Sequence, residues 1–330
     1  MINALIDYGL FLAKTATILI GVGLLLVVLV RSRRRGHMDG DHLDITDLND
    51  RYRSMAHQLK RASMPKKAFL KLLKSDKKAQ KSRDKEVDSR KRAFVIDFHG
   101  DIKATEVASL REVITSVLME AEEGDQVLVR LENAGGMVTE HGLAASQLMR
   151  LRDRSIPLTV AVDKVAASGG YLMAVVADRI IAAPFAVLGS IGVVAQLPNF
   201  HRVLEKHGVE YELHTAGDYK RTLTLFGENT EDGRAKLRDQ LEDTHGLFKD
   251  FIREYRPDLD LARVATGEYW HGRQALELGL IDAIETSDDF LMRAAEKVDL
   301  YLVSYAAHKR PLERLLSSMS AAWMRVLNML

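Results

Sequence analysis

From Ala93 onward, apolar residues fall in two alternating rhythms. Ala93–Phe98 is a short, nearly continuous apolar run, the pattern of a strand buried on both faces. Between Glu106 and Glu123 the apolar positions 107, 110, 113, 114, 117, 118 and 121 make one helix face. Gln126–Leu131 predicts the next strand and Leu143–Leu151 the next helix. Pro157–Val162 is another strand, and Ile180–Ala183 and Val209–His214 read as further ones. The second half is mostly helical. Glu231–Tyr255 is long and amphipathic through Leu237, Leu241, His245, Phe248, Phe251 and Ile252, and Arg273–Gly279 is short and closes on a glycine. Strand-then-helix alternation at a spacing of about 30 residues predicts an α/β fold with its active groups at strand ends.

The two ends of the chain follow other patterns. Residues 8–30 are apolar except for Lys14. As a helix they rise about 34 Å, enough to cross a bilayer core of about 30 Å. The alternative, a cleaved signal peptide, fits less well, because no basic region precedes the stretch and no small-x-small site precedes Arg31. Arg31, Arg33, Arg34 and Arg35 follow at once, and the positive-inside rule places this flank in the cytoplasm. Residues 31–92 read as a basic stalk or linker, with helical periodicity between Asp47 and Leu73 and a charged stretch from Lys74 to Arg92. Beside an anchor, a basic run favours anionic lipid over nucleic acid, and a plain soluble spacer is the alternative. At the far end Leu312, Leu315, Leu316, Met319, Trp323, Val326, Leu327 and Leu330 stripe an amphipathic helix, suited to packing or to a membrane surface. The expected division is therefore anchor 1–30, stalk 31–92, globular domain 93–300 and C-terminal helix 301–330.

Composition narrows the chemistry. The formal net charge of +1 hides a split: residues 31–93 are strongly basic and the remainder is acidic. The absence of cysteine excludes disulfides, thiolate catalysis and cysteine-ligated metal.

The candidate chemistry centres on Val162–Gly170. A strand runs into small residues and Ser168, and a helix-like apolar stretch follows from Gly169. A serine at such a turn presents its hydroxyl, and the helix beginning beneath it offers unpaired N–H groups to an oxyanion. Packing alone would explain a turn of Ala, Ser and Gly equally well. Three other pieces bear on it. Gly135 and Gly136 follow a strand and can turn backbone N–H groups outward; Gly189–Val193 is a second small-residue loop; Lys220 sits in a loop after Val209–His214.

The segments VDKVAASGGYLMA, GSIGV, TAGDYKRTLT and GEYWHGRQALELGLID, in this order and spacing, resemble the signal peptide peptidase A family of Ser–Lys serine peptidases, and within it the branch of anchored bacterial inner-membrane proteins. The resemblance covers roughly residues 93–300. It implies Ser168 as nucleophile, Lys220 as general base, and an oxyanion and substrate-binding site at Gly135, Gly136 and Gly169. The Ser–Lys chemistry so implied calls for no metal or other cofactor. It implies a fold like that of the Clp protease and crotonase superfamily, a spiral of ββα units. It further implies a peptide substrate and a ring-like homo-oligomer, in which Lys220 reaches Ser168 in its own or a neighbouring subunit. The family picture puts the catalytic domain on the periplasmic side of the inner membrane, against the cytoplasmic side favoured by the arginine cluster.

The chemistry agrees with those roles. To act near pH 7.5, a lysine base must fall from its free pKa of about 10.4, a cost of about 4 kcal/mol, which burial in an apolar pocket can supply. Asp218 should then point away from Lys220. The sequence departs from the family at Asn133-Ala134, where Ser-Pro is usual, and loses the stiffness a proline gives. A Ser–His–Asp arrangement using His214 or His271, an inactive scaffold of the same fold, and a crotonase-like acyl-CoA enzyme are the competing readings.

Overall fold

A computed structural model describes residues 14–15, 17, 42–83 and 90–306 of the chain. The 8–30 anchor lies outside the described residues apart from Lys14, Thr15 and Thr17, which are helical. Among the described residues no helix is long and apolar enough to cross a membrane. The leucine stripe from 312 to 330 also lies outside them.

The elements in chain order are β1 (His42–Asp47), α1 (Leu48–Ser63), α2 (Lys66–Arg83), β2 (Arg92–Gly100), α3 (Val107–Glu120), β3 (Gln126–Asn133), α4 (Val138–Asp153), β4 (Leu158–Val162), β5 (Val165–Ala167) and α5 (Gly169–Ala174). Then come β6 (Arg179–Ala182), β7 (Val187–Gly189), α6 (His201–Lys206), α7 (Glu231–Tyr255), α8 (Leu261–Val264), β8 (Tyr269–His271), α9 (Gly272–Glu277), β9 (Ala283–Ile284), α10 (Ser287–Ala294) and β10 (Asp299–Ala306).

The main sheet runs β1-β10-β2-β3-β4-β6-β9. From β10 to β9 every pairing is parallel, with registers such as Val95↔Leu128 and Ala161↔Ile181. Strands of this kind are buried on both faces, which explains the unbroken apolar run of β2. Val95, Leu128, Ala161, Ile181 and Leu300 share one core cluster with Leu48 and Leu291. Each such side chain, fully buried, stabilises by about 1.5–3 kcal/mol.

A second layer of pairing branches from β3. Asn133 at its end pairs with Ala166 of β5, β5 pairs with β7, and β7 pairs antiparallel with β8. This branch carries the chain from the sheet to Ser168.

Three expectations change. Val209–His214 forms no strand, and its apolar residues Val209, Tyr211 and Leu213 are exposed, with no neighbouring strand to pair with. Residues 301–306 are strand, so the sheet continues past 300 instead of giving way to a helix. Part of the 31–92 stalk belongs to the sheet and core. β1 is an edge strand. Leu48 is buried, and Asn49 bonds the carbonyls of Ala295 and Val298 and the N–H of Leu300.

Candidate active site

Ser168 stands between β5 and α5 with φ 50° and ψ −119°. A side chain in this region is strained, by roughly 1–3 kcal/mol. The conformation is held from both sides. Ser168 N–H donates to Gly189 O at 2.8 Å, and Leu172 N–H donates to Ser168 O at 3.0 Å. Leu172 is thus the first residue of this turn to bond back along α5, and the amide of Gly169 precedes it. Ser168 is half-buried, and the strained strand-to-helix turn holds it at the border of two cavities.

The turn after β3 lies against this elbow. Gly135 has φ +89°, and a Cβ there would come within 2.8 Å of Ala167 O and of Ser168 Cβ. A Cβ on Gly136 would run into the backbone of Ile102, and one on Gly170 into the carbonyl of Asn133. The paired glycines therefore have a steric reason to be here. Their amides differ. Gly135 N–H donates to Asn133 Oδ1 at 2.8 Å and Met137 N–H to Ile102 O at 2.8 Å. Between them the amide of Gly136 has no partner among the described residues. Gly135 thus contributes shape, and Gly136 the free donor.

Two cavities meet at Ser168. One, about 320 Å³, is lined mainly by apolar groups, among them Val138, Leu172, Leu247, Phe248 and Phe251. The other, about 590 Å³, runs past Ala134, Ser190, Val194, His245 and Thr266. Gly136, Ser168, Gly192 and Val193 line both, so the Gly189–Val193 loop belongs to the site. A larger cavity between α1 and α2 holds no residue of this group. Among the described residues no cluster suits a metal ion.

Lys220 is exposed, its N–H bonded at 3.1 Å to Gly217 O in a loop without regular structure. It lines neither cavity that contains Ser168. The apolar burial expected for it is therefore not provided within one chain. Asp218 is exposed as well. His214 faces Glu212 at 3.2 Å and His271 lies 3.3 Å from Phe185 O, and neither lines the cavities.

Two histidines that the sequence did not single out for chemistry are at the site. His245 of α7 lines the second cavity, and its Nε2 has no partner among the described residues. His141 of α4 is fully buried beneath the Ser168 elbow. Nothing in the local pattern marks either, since both sit inside ordinary helices.

The fold is an α/β protein with a serine turn set between two cavities, and comparison with known proteins places it among peptidases. Residues 3–148 match the Peptidase family S49 N-terminal domain and residues 150–301 match Peptidase family S49. The chain belongs to this peptidase family, the signal peptide peptidase A family. It is 46% identical over 319 residues to a "Probable protease SohB" of Buchnera aphidicola subsp. Acyrthosiphon pisum, covering 96% of this chain and 95% of that one. It is 43% identical to a "Probable protease SohB" of Haemophilus influenzae, covering 93% and 90%. Among solved structures, a 1510-N membrane-bound stomatin-specific protease in complex with a substrate peptide aligns with a TM-score of 0.40 at 12% identity, covering 71% of this chain and 99% of that one.

Proposed function

We propose that the chain is a membrane-anchored serine endopeptidase of the inner membrane that works through an acyl-enzyme, with Ser168 as nucleophile and Lys220 as general base. The observation that carries this reading is the strained Ser168 elbow, set between two cavities and beside the free amide of Gly136. Ser168 Oγ attacks the scissile carbonyl carbon while its proton passes to Lys220 Nζ. The oxyanion is received by the amides of Gly136 and Gly169. As the C–N bond breaks, the leaving amine takes the proton from Nζ. Water then attacks the ester, gives a proton to Nζ, and the acid leaves as Ser168 regains its hydrogen. This Ser–Lys form of acyl transfer needs no histidine and no metal.

The apolar cavity suits an apolar side chain next to the scissile bond, on a substrate bound in extended form along the 133–138 turn. Signal-peptide remnants and other membrane-associated polypeptides have that character. We read the sheet and its β5-β7-β8 branch as the ββα spiral shared with Clp proteases and crotonases. The exposure of Lys220 favours its delivery from a neighbouring subunit of a ring. Mixing tests this. Ser168→Ala and Lys220→Ala proteins should each fail to cleave an apolar fluorogenic peptide. Rings reassembled from equal amounts should recover roughly a quarter of the wild-type rate, because each site then draws one intact residue from each of two subunits. Turnover by Ser168→Ala alone would refute the mechanism. Silence of the mixed rings would assign Lys220 to its own chain.

A further inference from the structure

We infer that Asn133 and His141 form a positioning pair that sets the two oxyanion amides at a fixed separation. The inference rests on the peptidase reading above and adds to it two buried residues, of which His141 also borders the apolar cavity.

Asn133, the last residue of β3, is 1% exposed. Its Oδ1 accepts the N–H of Gly135 at 2.8 Å, and its Nδ2 faces Met173 Sδ at 3.3 Å. The Gly135 bond fixes which way round the amide lies, because a flipped Nδ2 would face another donor. The oxygen also lies 3.1 Å from His141 Nε2, and the tautomer that carries its proton on Nε2 donates to it. The other ring nitrogen lies 2.9 Å from Met137 O, at the start of α4. One buried imidazole therefore sits between two acceptors, Asn133 Oδ1 at the end of β3 and Met137 O at the start of α4, donating to one and packing against the other, and the Gly135–Gly136 turn is the segment between them.

The same ring reaches the second amide. A Cβ on Gly169 would lie 2.5 Å from His141 Cγ and 2.7 Å from His141 Cδ2, so the imidazole is flush against the Gly169 backbone. Asn133 reaches the elbow too, since its carbonyl fills the space where a Gly170 side chain would stand. Ala134 leaves φ of the turn free where a proline would fix it. The buried Asn133–His141 bond restrains the turn in its place. No charged side chain lines the cavity on the other side of His141, where the neighbours are Val138, Ala145, Leu172, Phe248 and Phe251.

The pair acts on the transition state through the placement of the Gly136 and Gly169 donors. Loss of one such donor costs about 100- to 1000-fold, and a displacement of about 1 Å costs about 100-fold. The test uses the full-length, detergent-solubilised protein with an apolar fluorogenic peptide. Folding is checked by thermal unfolding, and Ser168 is titrated with a fluorophosphonate. Asn133→Ala and His141→Phe should lower kcat about 10- to 100-fold and leave KM within about two-fold. The double variant should fall no further than the worse single one, because both act on one turn. His141→Gln, which keeps a donor toward Asn133, should stay within about three-fold of wild type. The inference is overturned if folded His141→Phe keeps wild-type kcat, if the loss appears in KM, or if His141→Gln falls as far as His141→Phe. A wild-type protein that neither cleaves peptide nor takes up the probe at Ser168 removes the peptidase reading itself, a separate failure.

Discussion

Replacing Ser168 by glycine should make the protein more stable than replacing it by alanine. The reason lies in the backbone: Ser168 has φ 50°, a value that glycine adopts without a Cβ penalty. Alanine keeps the strained Cβ and loses only the hydroxyl, so the comparison isolates the backbone from the oxygen. The strain is roughly 1–3 kcal/mol. Against it stands the greater freedom that glycine gives the unfolded chain, about 0.4–1 kcal/mol. The net advantage of glycine is then between about 0 and 2.6 kcal/mol. For a unit of this size, 1 kcal/mol moves Tm by about 2–4 °C. Differential scanning fluorimetry of the two variants should show Ser168→Gly melting above Ser168→Ala by up to about 10 °C, with both inactive. A lower Tm for Ser168→Gly would mean that the elbow stores no strain, and the argument for a presented nucleophile would lose its physical basis.

Other consequences follow from the same packing. Gly170→Ala drives a methyl into the carbonyl of Asn133 and should cost about 1–3 kcal/mol, read as a lower midpoint in urea; an unchanged midpoint would show that β3 and the elbow are not in contact. Tyr171 is fully buried, its hydroxyl donates to Leu280 O at 2.9 Å, and burial pushes its phenol well above the usual range. Tyr171→Phe leaves that carbonyl unpaired and should cost about 1–3 kcal/mol, whereas a neutral change would imply that water takes over the bond. Burial pushes the Asp125 carboxyl up, but the Arg92 guanidinium and the amides of Glu122 and Arg92 outweigh it and hold the group below the usual carboxylate range. A depressed folded-state value gives stability that is present above the unfolded pKa near 4 and lost as pH falls through the folded one. The stability gap between wild type and Asp125→Asn, measured by urea unfolding, should therefore shrink as pH drops from 5 towards 2, and a gap constant with pH would contradict the assignment.

What the sequence disclosed and what it hid have separate physical causes. Long periodic elements were legible: Glu231–Tyr255 is helical over its predicted span, and β2, β3 and β4 lie where the apolar runs put them. The three-residue strands β5, β7 and β8 are too short to show a period, yet they lead into the Ser168 turn. Val209–His214 alternates apolar and polar residues as a strand would, but it has no partner edge. The core contact of Leu48 was masked by the charged residues around it, since α1 buries only its first two positions. Ser168 and the paired glycines could be found from motif order. The Asn133–His141 bond could not, because nothing in either residue's neighbours requires the other. Lys220 was singled out by motif, while its position, outside both cavities that contain Ser168, lies in a loop without regular structure, which leaves no periodic signal to read.

The central claim is that Ser168 is a nucleophile. The most direct measurement is covalent labelling of the intact, detergent-solubilised protein with a fluorophosphonate, with the adduct located by peptide mass spectrometry. The account predicts one adduct, on Ser168, absent in Ser168→Ala and strongly reduced in Lys220→Ala. Folded wild-type protein that remains unlabelled, or that carries the adduct on another serine, would contradict it.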